Sequence, residues 1–458
     1  MTRRELLIVA AVSFVILAVA VAPLSTPYWW DAGAVYAPGA KWLLDHGFDA
    51  RPGVFPADLS RGHTALFYLM LAAAYRVMGA GPVAGHVVTF AFAWMAVIFS
   101  YALARRLFGW QAAALAALLL VASPLFQTMA SMALPEMAMT ALTAASLYAF
   151  ARGRIAESAA LGTVLVLVKE VGVACPLAIA GAVALEALRH RDRTGIRRTA
   201  IALVPVVVLA VFFGVQKSAE GWFVLPYHAG LFHEHHPLLP QLGRVAVSLV
   251  ADGRWIAVLA ALVLWRRAEL ARAWREHREV FTAFVLFAAM NLGFFAKMFF
   301  LERYVLPVHV CVAIMIGGAL ARVRWPGLAA AAIAIGVALS RRSAGTDMAS
   351  GETTFRYLHA VHAHAALLHR VDTAGGDPRI LTVWPVTDEL RQPFLGWVHR
   401  PFHCMDADVT SSPGPVDRII AVRGLGSFER LQREARARGF SLRDRAEEGS
   451  AAIELWGP

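Results

Sequence analysis

The chain has 458 residues, of which 58% are hydrophobic and only 16% charged. A soluble domain carries roughly 25% charged side chains, so composition argues against a soluble fold and for a membrane protein. The net charge of +11 does not mark a nucleic-acid binder, which would gather its basic residues into one patch. Residues 341–458 hold 15 basic and 15 acidic groups, so the excess sits in short clusters between apolar runs, as the positive-inside rule requires. Cys175, Cys311 and Cys404 stand far apart and form neither a disulfide framework nor a metal motif.

Apolar runs near spanning length recur along the first three quarters of the chain. They predict about eleven transmembrane helices, over residues 6–24, 84–104, 111–130, 136–151, 155–168, 171–188, 199–217, 245–265, 280–299, 303–320 and 327–340. Residues 6–24 could be a signal peptide, but Pro23 directly follows the small residues Ala20 and Ala22, which favours an uncleaved first span. Arg3/Arg4, Arg105/Arg106, Arg152/Arg154, Arg189–Arg198, Arg266–Arg278 and Arg322/Arg324 should all face the cytoplasm. That orientation holds only if residues 63–78 do not cross the membrane, so this run is expected to lie in the outer interface.

Residues 25–82 then form a long external loop with a second amphipathic stretch over 36–44, and loops of this length in a helical bundle are usually functional. Residues 218–244 form another external loop, rich in Trp, Tyr, His and Pro. Past Arg342 the composition changes. Residues 380–385, 418–423 and 451–456 read as strands, and 428–439 as a helix closed by Gly439. The expected architecture is an all-α polytopic membrane module, residues 1–342, followed by a small α/β domain, residues 343–458. An odd number of spans from a cytoplasmic N-terminus puts that domain outside the cytoplasm; the expected location is a bacterial inner membrane, with this domain in the periplasm.

Ionisable groups at membrane depth are costly and usually functional. Asp31 follows Tyr28-Trp29-Trp30 just outside the first span, and Glu136 follows Leu134-Pro135 at the outer start of another. Both belong at the same membrane face; alternatively the tryptophans are interface anchors and Glu136 is a helix N-terminal acid favoured by the dipole. Lys169-Glu170 interrupts the apolar stretch 155–188 at an outer turn. The lysine could hold a phosphate, sit solvated, or pair with its neighbour. Arg303 suits a phosphate oxygen or could pair with Glu302. His233, His235 and His236 look like a metal cluster, yet adjacent side chains in an extended segment diverge. His359, His362, His364 and His369 read as a solvated helix face. No nucleotide-binding glycine motif is present, which disfavours an ATP-driven transporter.

Three stretches carry a family resemblance. Trp30-Asp31 with Tyr36, Leu43-Leu44 and Gly47 is similar to the first-loop acidic motif and interfacial helix of class C glycosyltransferases. Arg61-Gly62-His63-Thr64-Ala65-Leu66-Phe67-Tyr68 resembles their second interfacial helix, and Arg303-Tyr304-Val305-Leu306-Pro307 the start of a late span. Arg105–Gly109, Ser123–Phe126, Glu136 and Lys169–Gly172 fall between them in the family's order. The likeness covers about residues 1–320 and is nearest to the branch of lipid A aminoarabinose transferases and bacterial protein O-mannosyltransferases. It departs at Thr64-Ala65, where the family has Pro-Pro, at Glu136, where Asp is usual, and at Ala32, where a second acid is usual.

The resemblance implies a polyprenyl-phosphate-linked sugar as donor, an inverting transfer outside the cytoplasm, and membrane lipids as surroundings. On that basis Asp31 is the expected general base, taking the acceptor hydroxyl proton as it attacks the anomeric carbon. Lys169 and Arg303 are expected to neutralise the leaving phosphate, with Arg61, His63 and Tyr304 as further binding residues. Glu136 would orient the acceptor, the donor sugar or a divalent metal. The acceptor stays open between lipid, glycan and protein. A flippase or a polymerase of lipid-linked sugars is the rival reading, but a transporter should carry paired inverted repeats and a charged path at mid-membrane, and neither is visible.

Overall fold

The computed structural model describes residues 22–231, 237–250, 254–264, 267–321, 352–409 and 414–458, with short pieces between 325 and 336. The expected spans 6–24 and 327–340 fall largely outside these residues. Among the described residues, five helices are long and apolar enough to cross a membrane: Pro82–Phe108, Glu170–His190, Arg193–Glu220, Arg278–Phe295 and Glu302–Leu320. The chain is a multi-pass membrane protein.

The expected straight span 111–130 is instead broken into Trp110–Ala122 and Pro124–Ala130, bent by 70°. The cause is local: Pro124 has no amide hydrogen to continue the ladder and its ring clashes with the preceding turn. Ser123 takes up an extended conformation, and Pro124 opens the second helix at its first position. The other expected spans recur as helices with shifted ends, and residues 245–265 divide between Leu238–Val250 and Arg254–Leu264.

The two stretches expected in the outer interface are helices Ala37–Asp45 and Leu66–Met78. They bury Leu43, Phe67, Tyr68 and Leu71 completely, so they pack on the bundle rather than merely lying on it. Tyr28 ties this layer down. Its hydroxyl donates to the Gly81 carbonyl at 2.8 Å and accepts from Tyr75 Oη at 2.8 Å and from the Gly85 amide at 3.1 Å. A Cβ on Gly85 would lie 2.2 Å from that oxygen, so only glycine lets the ring seat against the helix.

Opposite ends of the helices carry opposite chemistry. Arg106 Nε donates to the Ala151 carbonyl at 2.7 Å, which joins the arginine-rich ends of helices Pro82–Phe108 and Pro135–Ala151. Glu136 and the Tyr28 anchor lie at the other ends of those same helices. Helix Leu306–Leu320 packs directly onto Trp110–Ala122. A Cβ on Gly317 would come within 2.7 Å of the Ala112 carbonyl oxygen, and such small-residue contacts are how membrane helices approach closely.

The C-terminal region is an α/β module. Helix Tyr357–Thr373 leads into a five-stranded sheet of order β2-β1-β3-β5-β4, with β1 Ile380–Thr382, β2 Cys404–Asp406, β3 Arg418–Val422, β4 Ser441–Glu448 and β5 Ala451–Gly457. β1 pairs in parallel with β2 and β3, while β5 runs antiparallel to both β3 and β4. Three strands and helix Phe428–Ala437 match the sequence reading. β2 and β4 do not: β2 is three residues long and β4, SLRDRAEE, is largely exposed and charged, so neither shows strand periodicity. Helix Tyr357–Thr373, with Leu395 and Trp397, shares one core with the bundle's outer layer, whereas Ile419, Ala421, Leu431 and Ala435 form a separate core on the other side of the sheet.

Candidate active site

Five segments far apart in sequence bring charges to one point, at the end of the bundle opposite Arg106. Asp31 sits on a sharp turn: Trp30 before it has φ +53°, and the Trp30 carbonyl accepts from the Gly33 and Ala34 amides, both at 2.9 Å. Left-handed backbone at a bulky residue is strained and persists only where packing holds it. Here Trp30 is held edge-on by Trp384 of the C-terminal module at 4.5 Å. Trp397 Nε1 donates to the Tyr28 carbonyl at 3.0 Å, and the Leu395 carbonyl accepts from the Tyr28 amide at 2.9 Å. The module therefore clamps the turn that presents Asp31.

Glu136 stands in the first turn of helix Pro135–Ala151 and is fully buried. Lys169 ends helix Ile155–Val168 in extended backbone, which turns its side chain inward. Its Nζ donates to Glu136 Oε1 at 2.8 Å and lies 5.1 Å above the Tyr304 ring. Lys169 thus pairs with neither solvent nor Glu170. Arg303, on the short helical turn Glu302–Val305, likewise does not pair with Glu302 as its sole partner. Its guanidinium donates to Asp31 Oδ2 and, at 2.5 Å, to Glu352 Oε1, and stands 3.7 Å from Glu136 Oε1. Arg303 Nε and Glu136 Oε2, both buried, find no hydrogen-bond partner among the described residues.

Exposure separates the roles. The Asp31 side chain is 31% exposed, against 3% for Arg303 and 2% for Glu136, so Asp31 is the member of this trio that a molecule from outside can reach. Burial would raise its carboxyl, but the Arg303 guanidinium outweighs that and holds it below the ordinary carboxylate range. For Glu352 burial wins and pushes the carboxyl up to about 7, with Asp31 and Glu136 adding and Arg303 opposing.

His63 Nδ1 lies 3.0 Å from Glu170 Oε1, at the edge of this cluster, with the His228 ring 5.2 Å away. Thr64 Oγ1 donates to the Val166 carbonyl at 3.1 Å, fixing the segment against the helix that ends in Lys169. Arg61 occupies a left-handed turn, is exposed, and stands outside the ion-pair cluster. His233, His235 and His236 lie outside the described residues. Among the described residues no three His, Cys, Asp or Glu side chains are grouped to hold a metal ion. His364 corrects the reading of a solvated histidine face. It is 1% exposed, pairs with buried Glu389 at 2.9 Å, and meets the Trp29 ring at 5.1 Å, whereas His362 and His369 are exposed as expected.

The sequence reading missed Glu352. It falls inside the expected α/β domain, between the last expected span and the first expected strand, with no pattern around it to mark a site. Its role exists only because the chain returns to the bundle mouth there.

Residues 62–219 match the family model described as dolichyl-phosphate-mannose-protein mannosyltransferase. That stretch holds His63, Glu136 and Lys169 but neither Asp31 nor Arg303. The structure of ArnT from Cupriavidus metallidurans bound to undecaprenyl phosphate superposes with a TM-score of 0.63 at 16% identity, covering 98% of this chain and 97% of that one. This chain has the class C glycosyltransferase fold. The resemblance read from the sequence is thereby borne out. The apo state of the same ArnT gives a TM-score of 0.62 at 17% identity over the same shares of both chains. The archaeal oligosaccharyltransferase AglB from Archaeoglobus fulgidus, in complex with an inhibitory peptide and a dolichol-phosphate, gives 0.52 at 11% identity over 91% of this chain and 69% of that one. No curated protein matches the chain.

Proposed function

We propose that this protein is an inverting glycosyltransferase that moves a sugar from a polyprenyl-phosphate donor to an acceptor outside the cytoplasm. The observation that carries the reading is the cluster itself: a part-exposed carboxylate, Asp31, held on a buried guanidinium, with Lys169 beside it. The matched family model names a dolichyl-phosphate sugar, and the similar ArnT structure holds undecaprenyl phosphate; a lipid-linked phosphate donor fits the same two cations here. Arg303 would take the phosphate oxygens in a forked contact and Lys169 would act as a point charge. As the glycosidic bond breaks, these cations stabilise the lipid phosphate that leaves, so no strong acid is required. Asp31, freed from Arg303 by the phosphate, takes the acceptor hydroxyl proton as that oxygen bonds to the anomeric carbon from the opposite side. Buried Glu136 keeps Lys169 aligned.

The test of the activity is mass spectrometry of envelope lipids, glycans and proteins from cells with and without this protein. A sugar-sized mass present on one class of molecule only when the protein is present is expected, and it names the acceptor. Identical profiles, with expression confirmed, would turn the reading toward transport.

The site should face away from the cytoplasm. Arg105, Arg106, Arg152 and Arg154 gather at the opposite helix ends, and basic loops stay cytoplasmic. An alkaline phosphatase fused after Pro458 is therefore expected to be active. A fluorescent fusion that matures only in the cytoplasm would place the C-terminal module, and with it Asp31, on the wrong side.

A further inference from the structure

The charge balance at the bundle mouth does not suit an anion. Asp31 and Glu352 both pair with Arg303, Glu136 engages Lys169 and stands within 3.7 Å of Arg303, and Glu170 adjoins them on His63. Four carboxylates face two permanently charged side chains, and like charges at such range repel strongly in a partly buried site. A phosphate can enter only if one carboxylate leaves or is neutralised.

Three of the four acids belong to elements built into the bundle and its outer loop: the turn at Asp31, the first turn of Pro135–Ala151, and the turn Glu170–Val173. Glu352 alone comes from the segment leading into the C-terminal module, five residues before helix Tyr357–Thr373. Its Oε1 accepts from Arg303 Nη1 at 2.5 Å, in the charge-assisted geometry a phosphate oxygen would adopt.

We propose that Glu352 is a built-in carboxylate competitor that occupies the donor-phosphate seat on Arg303, and that a lipid-linked phosphate binds by displacing it. This rests on the reading of Arg303 and Lys169 as that seat. Exchanging one monoanion for another leaves the local charge unchanged, whereas adding a phosphate beside Glu352 would deepen the surplus. The same arrangement keeps a buried guanidinium paired before donor arrives, which matters because an unpaired buried charge is costly. The charged groups facing Glu352 are Arg303, Asp31, Glu136 and Lys169; burial, with Asp31 and Glu136, outweighs the two cations and pushes its carboxyl up to about 7. Above that pH the carboxylate grips Arg303; below it the protonated form lets go. Acidification therefore favours donor entry.

The probe is the methyl ester of farnesyl phosphate, a phosphodiester whose single charge does not titrate near neutrality, binding to the full chain in detergent micelles. Wild type is expected to bind about tenfold more tightly at pH 6 than at pH 8, the change in protonated fraction of a group titrating near 7. Glu352→Gln is expected to bind about tenfold more tightly than wild type at pH 8 and to lose the pH dependence. Glu352→Gln binding as weakly as wild type or worse, with Arg303→Ala losing binding, would make Glu352 a structural clamp and overturn the proposal. Unchanged binding by Arg303→Ala would mean the phosphate seat itself is misassigned. If Glu352→Gln does not fold, the wild-type profile decides: affinity flat from pH 6 to pH 8 also overturns it.

Discussion

Asp31→Asn is expected to lower sugar transfer by about 10²–10⁴-fold, the usual loss when a general base is removed, while binding of a polyprenyl-phosphate analogue is retained. Asparagine keeps the size of the side chain and can still accept a hydrogen bond from Arg303, whose other partner, Glu352, is untouched. What it cannot do is take a proton. Asp31 in its present pairing is a weak base, because the guanidinium holds its carboxyl below the ordinary range. A donor phosphate drawing Arg303 away would raise its basicity at the moment it is needed. Glu136→Gln acts differently, through the alignment of Lys169, so its deficit should appear in affinity as well as in turnover. The discriminating measurement is single-turnover transfer with purified variants, alongside donor binding. Wild-type turnover in Asp31→Asn would make Asp31 a helix-end acid, and a folded variant that no longer binds donor would make it a binding residue.

Lys169→Met is expected to cost about 3–5 kcal/mol of stability, because it takes the hydrogen-bonded counter-ion from buried Glu136 and leaves only the more distant Arg303. Seen only as a loop residue in the sequence, Lys169 should be removable without harm to folding. The structure changes that expectation: the pair is almost wholly buried, with side-chain exposures of 8% and 2%. The double variant Lys169→Met/Glu136→Gln removes both charges and should recover most of the loss. It should still bind donor more weakly, by about 1.5–3 kcal/mol, the worth of a hydrogen bond to a charged group. Thermal unfolding in detergent and analogue binding on the same three proteins separate the two effects. A single variant with the wild-type melting temperature would rule out the buried ion pair as drawn, and a double variant with full donor affinity would remove Lys169 from the phosphate seat.

Much of this molecule follows from local sequence. The low charge content, the spacing of apolar runs and the arginine clusters specify a polytopic bundle with its basic loops on one side. The break at Ser123-Pro124 is a local event too, since any helix must change where Pro124 removes its donor, although hydrophobicity alone carried the expected span straight through it. The candidate residues Asp31, Glu136, Lys169 and Arg303 stood out because a charge at a membrane boundary has few bland explanations.

Their partnerships could not be read the same way. Adjacency suggested Lys169 with Glu170 and Arg303 with Glu302, but the bundle pairs Lys169 with Glu136 across 33 positions and Arg303 with Asp31 across 272. Glu352 joins them from 49 residues beyond Arg303, and His364 leaves the solvated face to meet Glu389 and Trp29. A side chain's neighbour in sequence is held at fixed distance whatever the fold, whereas a buried charge must find whichever opposite charge the packing delivers. By itself the sequence determined which groups carry charge and that they gather at the end of the bundle away from the arginine clusters. Only the tertiary structure decided which of them share a counter-ion, because burial makes that choice energetically large and chain separation makes it invisible locally.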